Sequence, residues 1–270
     1  MSPTTRQGRV RPPAVAGSFY PAEPARLADL LRASFAAARD AGDDRGVPKA
    51  LVVPHAGYVY SGPIAASAFL RLVPARSTIH RVVLLGPSHR VPVDGMAVSG
   101  ADAMATPLGS VPVDSGARRA VLGSPVVRTD DAPHAAEHSL EVQLPFLQSV
   151  LDRFEVLPLL VGRCPADDVA AVLDAVWGGP ETVVVVSTDL SHYHLYGDAV
   201  SLDGRTAAAI VASRPEAIDD RDACGAYPLR GLLVAARSRH LTVEALDLRN
   251  SGDTAGDKER VVGYGAFALA

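Results

Sequence analysis

Three histidines, His55, His89 and His192, each follow closely on a short β-branched apolar run, in Pro54-His55-Ala56-Gly57, Gly86-Pro87-Ser88-His89 and Ser187-Thr188-Asp189-Leu190-Ser191-His192. Residues just past the ends of neighbouring strands can converge on one crevice although they are far apart in sequence. Imidazoles gathered there suit iron, copper or zinc. Two imidazoles leave a divalent ion incompletely coordinated, and the chain offers two kinds of further ligand. One is a carboxylate, from Asp189, Glu137 or Glu141, giving a facial triad of the non-haem iron type. The other is the thiolate of Cys224, in Asp222-Ala223-Cys224-Gly225-Ala226-Tyr227-Pro228. It precedes an apolar helical pattern, where the helix dipole and free amides favour the anion. Sequence spacing leaves the choice open. The plain alternative for Cys224 is a small buried hydrophobe, which is also the reading for Cys164.

Glu137, His138 and Glu141 cluster at the expected start of a helix, where carboxylates complement the dipole. Their functional alternative is to orient an imidazole ligand by accepting its free N–H. Asp189 and His192 share one short turn and could act as a proton-transfer pair, the carboxylate fixing the imidazole tautomer. As a simple turn former Asp189 is equally accounted for. His80, His134, His194 and His240 read as solvated loop or helix-end residues.

The elements that must position these groups alternate along the chain. Apolar runs at 50–53, 81–85, 156–161, 182–186, 241–246 and 260–269 suit buried strands. Helical patterns fall at 22–39, 63–72, 138–151, 166–177, 204–213 and 227–239. Such alternation predicts an α/β fold, with a mostly parallel or mixed central sheet covered by helices on both faces. The stretch 95–114, rich in Gly and Pro, reads as a strand pair and loop. One domain over 11–270 is expected, preceded by a disordered arm over 1–10.

Composition removes several function classes. The formal charge is −4 with 48% apolar residues. Basic residues are scattered, so nothing resembles a footprint for a phosphate backbone, and nucleic-acid binding is not expected. No segment reaches the roughly 20 apolar residues of a membrane helix, and the N-terminus lacks a signal-peptide apolar stretch. A cytoplasmic protein without membrane attachment is expected. The two cysteines imply no disulfide framework and cannot supply an iron–sulfur cluster. No nucleotide cofactor is expected either.

Several motifs in order resemble the MEMO family, also called AmmeMemoRadiSam system protein B. They are Ala16-Gly17-Ser18-Phe19-Tyr20-Pro21, Pro54-His55-Ala56-Gly57-Tyr58 with Tyr60-Ser61-Gly62, and Leu85-Gly86-Pro87-Ser88-His89. Glu137-His138-Ser139-Leu140-Glu141 with Leu144-Pro145, Ser187 to His192, Cys224-Gly225 and Val262-Gly263-Tyr264-Gly265 follow. The resemblance implies a fold similar to class III extradiol ring-cleavage dioxygenases, non-haem iron enzymes. It further implies His55, His89 and Cys224 as metal ligands, with Asp189 and His192 lining the pocket and His192 where those enzymes keep an acid/base histidine. Phe19 stands where some members have tryptophan, and Tyr227 where some have histidine.

Three functions compete on these grounds. The first is a redox protein, dioxygenase-like, in which iron or copper keeps open positions for oxygen or a small substrate. The second is a non-catalytic adaptor binding a peptide or protein partner through the same pocket, with Phe19 and Tyr58 as aromatic anchors. The third is a zinc hydrolase, although no His-Glu-x-x-His or Gly-x-Ser-x-Gly motif is present. The family name also implies partnership with a radical S-adenosylmethionine protein and a third small component.

Overall fold

The structure is a computed structural model that describes residues 8–39 and 46–270. In chain order its elements are β1 (Val10–Arg11), α1 (Pro24–Ala36), β2 (Ala50–Val53), α2 (Tyr58–Phe69), β3 (Arg81–Pro87), β4 (Met96–Val98), β5 (Ala103–Thr106), β6 (Gly109–Pro112) and α3 (Ser115–Val121). Then come β7 (Val127–Thr129), α4 (Ala132–Ala135), α5 (Leu144–Val150), β8 (Glu155–Val161), α6 (Ala166–Val176), β9 (Thr182–Ser187) and β10 (His192–His194). The chain closes with α7 (Tyr196–Val211), α8 (Ala226–Ser238), β11 (Val243–Asn250) and β12 (Val261–Leu269).

One large mixed sheet runs β10-β12-β2-β9-β3-β8-β4-β7, with β11 also paired to β12. Its centre, β2, β9, β3 and β8, is parallel, and β12 is antiparallel to β2, β10 and β11. The central strands are apolar along most of their length because both faces are covered. Leu51, Val53, Val82 and Leu84 point into one core with Leu27 and Leu31 of α1, Ile64 and Phe69 of α2, and Phe146 of α5. Ala50, Val52, Val83 and Leu85 point the other way, against Val169 and Leu173 of α6 and Leu229, Leu232 and Leu233 of α8. The α/β layering expected from the alternating runs is therefore the one observed. A small second sheet, β1-β5-β6, contains the strand pair expected within 95–114.

Local boundaries differ where side chains compete with the backbone. The helix expected from His138 begins only at Leu144, after a 3-10 turn over Glu141–Gln143. Glu137 Oε1 accepts from the backbone N–H groups of His138 (2.9 Å) and Ser139 (3.0 Å), which holds this segment as a loop. The helix expected from Pro63 starts at Tyr58, with Pro63 inside it. Of the arm expected over 1–10, residues 1–7 lie outside the described residues. Arg9 already pairs with Asp102, and Val10 belongs to β1. Among the described residues, no helix is long and apolar enough to cross a membrane.

Candidate metal centre

His55 lies two residues beyond β2 and His89 two beyond β3. His138 reaches the same crevice from the loop ahead of α5. Ligand atoms of these three imidazoles all lie within 4.8 Å of one another. The rings of His55 and His89 are edge-on, with centroids 5.1 Å apart, whereas His89 and His138 stack at 4.7 Å. They form the floor of a cavity of about 580 Å³, which is also lined by Phe19, Tyr60, Arg90, Asp189, His192 and Tyr264.

Close backbone approach makes this convergence possible. A Cβ on Gly86 of β3 would meet Leu140 Cδ2 at 2.9 Å and Ser139 Oγ at 3.0 Å, so only a bare Cα lets the His138 loop sit down on the strand. Ser139 Oγ then donates to the Pro87 carbonyl at 2.7 Å.

Glu137 is buried beneath the group and organises it. Its Oε1 accepts from His89 Nδ1 at 2.9 Å and its Oε2 from the His89 backbone N–H at 2.5 Å. Burial alone would raise the pKa of this carboxyl, but the adjacent His138 ring together with hydrogen bonds from His89 and backbone amides outweighs it and keeps the group ionised. With His89 Nδ1 spent on Glu137, Nε2 is the ring nitrogen left for a ligand. His138 Nδ1 lies 3.1 Å from Glu137 Oε1 but out of line, leaving it buried without a hydrogen-bond partner. Burial, reinforced by His138 and His89, drives the pKa of His55 well below the ordinary value, so this ring is a neutral donor. Three imidazoles with ligand atoms this close together fit a borderline cation such as iron, copper or zinc.

Cys224, expected as a ligand, lies beside one member of this group. Its Sγ is 3.2 Å from His55 Nε2, with the Asp189 backbone N–H donating to it at 3.3 Å. The third imidazole comes from His138, a residue expected from the sequence to orient an imidazole and not to offer one. Burial and the adjacent Asp189 charge push the Cys224 thiol up, against the helix-dipole expectation of a favoured thiolate. Desolvation wins because the dipole of α8 acts on a group held largely out of water. Cys164 is buried in the second core, as expected.

Asp189 and His192 both line the cavity but are not hydrogen-bonded as the expected pair. Asp189 Oδ1 accepts from the His55 backbone N–H at 2.7 Å, and His192 Nδ1 donates to the Leu190 carbonyl at 2.8 Å. That carbonyl is two residues away along the chain and so takes the tautomer-fixing part. Burial raises the carboxyl pKa of Asp189.

Three further expectations are corrected. Tyr58 is no entrance residue: it is 2% exposed, packs against Phe146 and donates to the Val142 carbonyl at 2.6 Å. The phase of α2 turns Tyr60 to the cavity instead, while Phe19 does line it, 4.6 Å from the His138 ring. Glu141 orients no imidazole; it is wholly buried, ion-paired to Arg11, and accepts from Ala14 N (2.7 Å), Val15 N (3.0 Å) and Tyr20 Oη (2.6 Å). It pins the N-terminal segment. His134 is buried rather than solvated, with Nε2 donating to the Ala97 carbonyl at 3.0 Å. Reasoning from sequence also missed Ser187 and Gln143, which stand behind His55; an apolar run ending in serine carries no signal of such a role.

The class is thus an α/β protein whose strand ends, with one adjoining loop, carry a three-histidine group able to hold a metal ion. The family model described as "Memo-like protein" matches residues 11–268, and the chain belongs to that family. A MEMO1 family protein of Aquifex aeolicus is 36% identical over 273 residues, covering 95% of this chain and 97% of its own. One from Aeropyrum pernix is 38% identical over 283 residues, covering 97% and 100%. An uncharacterized Escherichia coli K12 protein of known crystal structure aligns with a TM-score of 0.49 at 14% identity, covering 80% of this chain and 98% of its own.

Proposed function

We propose that this protein is a metal-dependent redox protein, dioxygenase-like, that uses iron or copper on a small substrate. The observation that carries the reading is the set of His55, His89 and His138 ligand atoms within 4.8 Å of one another on the floor of a substrate-sized cavity. Cys224 is offered as a further, soft ligand, since a sulfur 3.2 Å from His55 Nε2 is close enough to share an ion given bonds of about 2.0–2.3 Å. When bound, the metal supplies a Lewis acid and a one-electron redox couple.

The chain's own groups do the rest. Glu137 holds the His89 ring by Nδ1 and so leaves Nε2 as the nitrogen available to a metal. His192, with Nδ1 committed to Leu190, has Nε2 free to take or return a proton at the cavity wall. Asp189, its carboxyl raised by burial, is a second proton carrier within the same cavity. Phe19, Tyr60 and Tyr264 narrow the space open to water. Partnership with a radical S-adenosylmethionine protein and a third small component belongs to the same proposal, supported by family membership alone.

Metal analysis of purified protein tests this directly. About one iron or copper per chain is expected, lost in His55→Ala or His138→Ala. Protein that arrives metal-free and refuses both ions overturns the reading. A second reading is favoured by the ligand set itself: three imidazoles with an open position also make a catalytic zinc site. A spectroscopically silent metal together with esterase or peptidase turnover would decide for that zinc hydrolase.

A further inference from the structure

Behind His55 lies a buried set of hydrogen bonds whose protons can be placed one by one, with Gln143 Oε1 left without a donor. Gln143 Nε2 donates to the Pro54 carbonyl at 2.9 Å and to Ser187 Oγ at 2.8 Å, so both amide hydrogens are used. Turning the amide over would set its oxygen against the Pro54 carbonyl oxygen, which fixes its orientation. Ser187 Oγ lies 2.6 Å from the Ser139 carbonyl oxygen. Two oxygens at that distance need a proton between them, and the only one available belongs to the serine hydroxyl. Ser187 has therefore no proton left for its third partner, His55 Nδ1, at 2.9 Å. The imidazole must be the donor in that contact.

We propose that Ser187, oriented by Gln143 and the Ser139 carbonyl, is a positioning residue that locks His55 as its Nδ1–H tautomer and presents Nε2 as a permanent lone pair. That nitrogen is the one facing Cys224 Sγ at 3.2 Å. With Nε2 unprotonated, the thiol is the donor of that contact, and every proton from Gln143 to Cys224 then has one acceptor. Ser187, Gln143 and Ser139 are all buried, so water does not compete for these bonds. His89 has its Nδ1 engaged by a different partner, Glu137, so in both rings Nε2 is the nitrogen left for the shared crevice. The arrangement costs a neutral hydroxyl where a second carboxylate would add charge beside the already ionised Glu137.

The lock explains why the Ser139 carbonyl matters to a ring it does not touch. The His138-Ser139 loop supplies one imidazole directly and fixes the protonation of another through Ser187. Metal affinity and loop position are coupled by that one hydroxyl.

The ligand role rests on the reading under Proposed function, but the tautomer does not. Nitrogen-15 correlation spectra of the metal-free wild-type protein are expected to show His55 with a protonated Nδ1 and an unprotonated Nε2. In Ser187→Ala the lock is gone, and a mixture of both tautomers is expected, with Fe(II) affinity under anaerobic conditions falling about 10- to 100-fold. A wild-type His55 protonated at Nε2 overturns the proposal whether or not the variant folds. So does a folded Ser187→Ala protein with unchanged tautomer and Fe(II) affinity. A wild-type protein that shows the Nδ1–H ring yet binds no metal refutes the metal reading while confirming the lock.

Discussion

Cys224 Sγ and His55 Nε2 meet at 3.2 Å across 169 residues of chain. The contact depends on Gly225, where a Cβ would lie 2.7 Å from Thr188 Cβ and 2.8 Å from the Ser187 carbonyl oxygen, so α8 begins hard against the end of β9. It places a thiol, kept protonated by burial, next to a neutral imidazole, and leaves the other two histidines to complete the group without it.

Removal of that sulfur is therefore expected to separate affinity from identity. Cys224→Ala should retain a metal ion on His55, His89 and His138. Wild-type protein loaded with Cu(II) should show a sulfur-to-copper absorption in the visible that the variant lacks. If the wild-type spectrum has no such band, the sulfur is a neighbour and not a ligand.

Glu137→Gln keeps the shape but removes the charge that collects His89 Nδ1 and several backbone amides. Metal affinity should fall about 10- to 100-fold. Chemical unfolding should also show a loss of about 1–3 kcal/mol, because buried donors lose their acceptor. Titration calorimetry with unchanged affinity would mean that His89 is oriented by something else.

Glu141→Ala tests the corrected role of that residue. Arg11 is left as an uncompensated buried charge, for which about 3–5 kcal/mol of destabilisation is expected. The surviving folded fraction should still carry its metal at full stoichiometry. Selective loss of metal with stability intact would return Glu141 to the site.

Gly225→Ala should be poorly tolerated, at about 1–3 kcal/mol, since the obstructing atoms include backbone that cannot move aside. A sulfur-to-copper band that shifts or vanishes in the same variant would register displacement of Cys224. Wild-type stability and spectrum would contradict the close approach.

Acid should weaken the fold partly through His134. Burial lowers its pKa from 6.5 to about 4, against the opposing hydrogen bond to Ala97. Because the unfolded chain binds the proton more readily, the contribution to stability is full above about pH 6.5. It is lost as pH falls toward about 4, on the order of 3 kcal/mol in all. His134→Gln should flatten that part of the stability profile in urea unfolding between pH 7 and 4.5; an unchanged slope would assign the loss to other groups.

Pattern and composition alone set the layers of this protein and most of what stands at their edge. Runs such as Ala50–Val53 and residues 183–186 are apolar at every position, which only a sheet covered on both faces can use, and His55 and His89 stand two residues past strands of this kind. What period and composition could not determine was which groups would touch. Tyr58 and Tyr60 are two residues apart on one helix, and the rotation of α2 against the sheet sends the first into the core and the second to the cavity. His138, Ser187 and Gln143 join the site, and Glu141 leaves it, through loop approaches of a few ångströms set by Gly86, Glu137 and Arg11. Strand order follows from patterns repeated over many residues, whereas ligation and proton placement hang on single contacts between distant segments, and those exist only once the chain has packed.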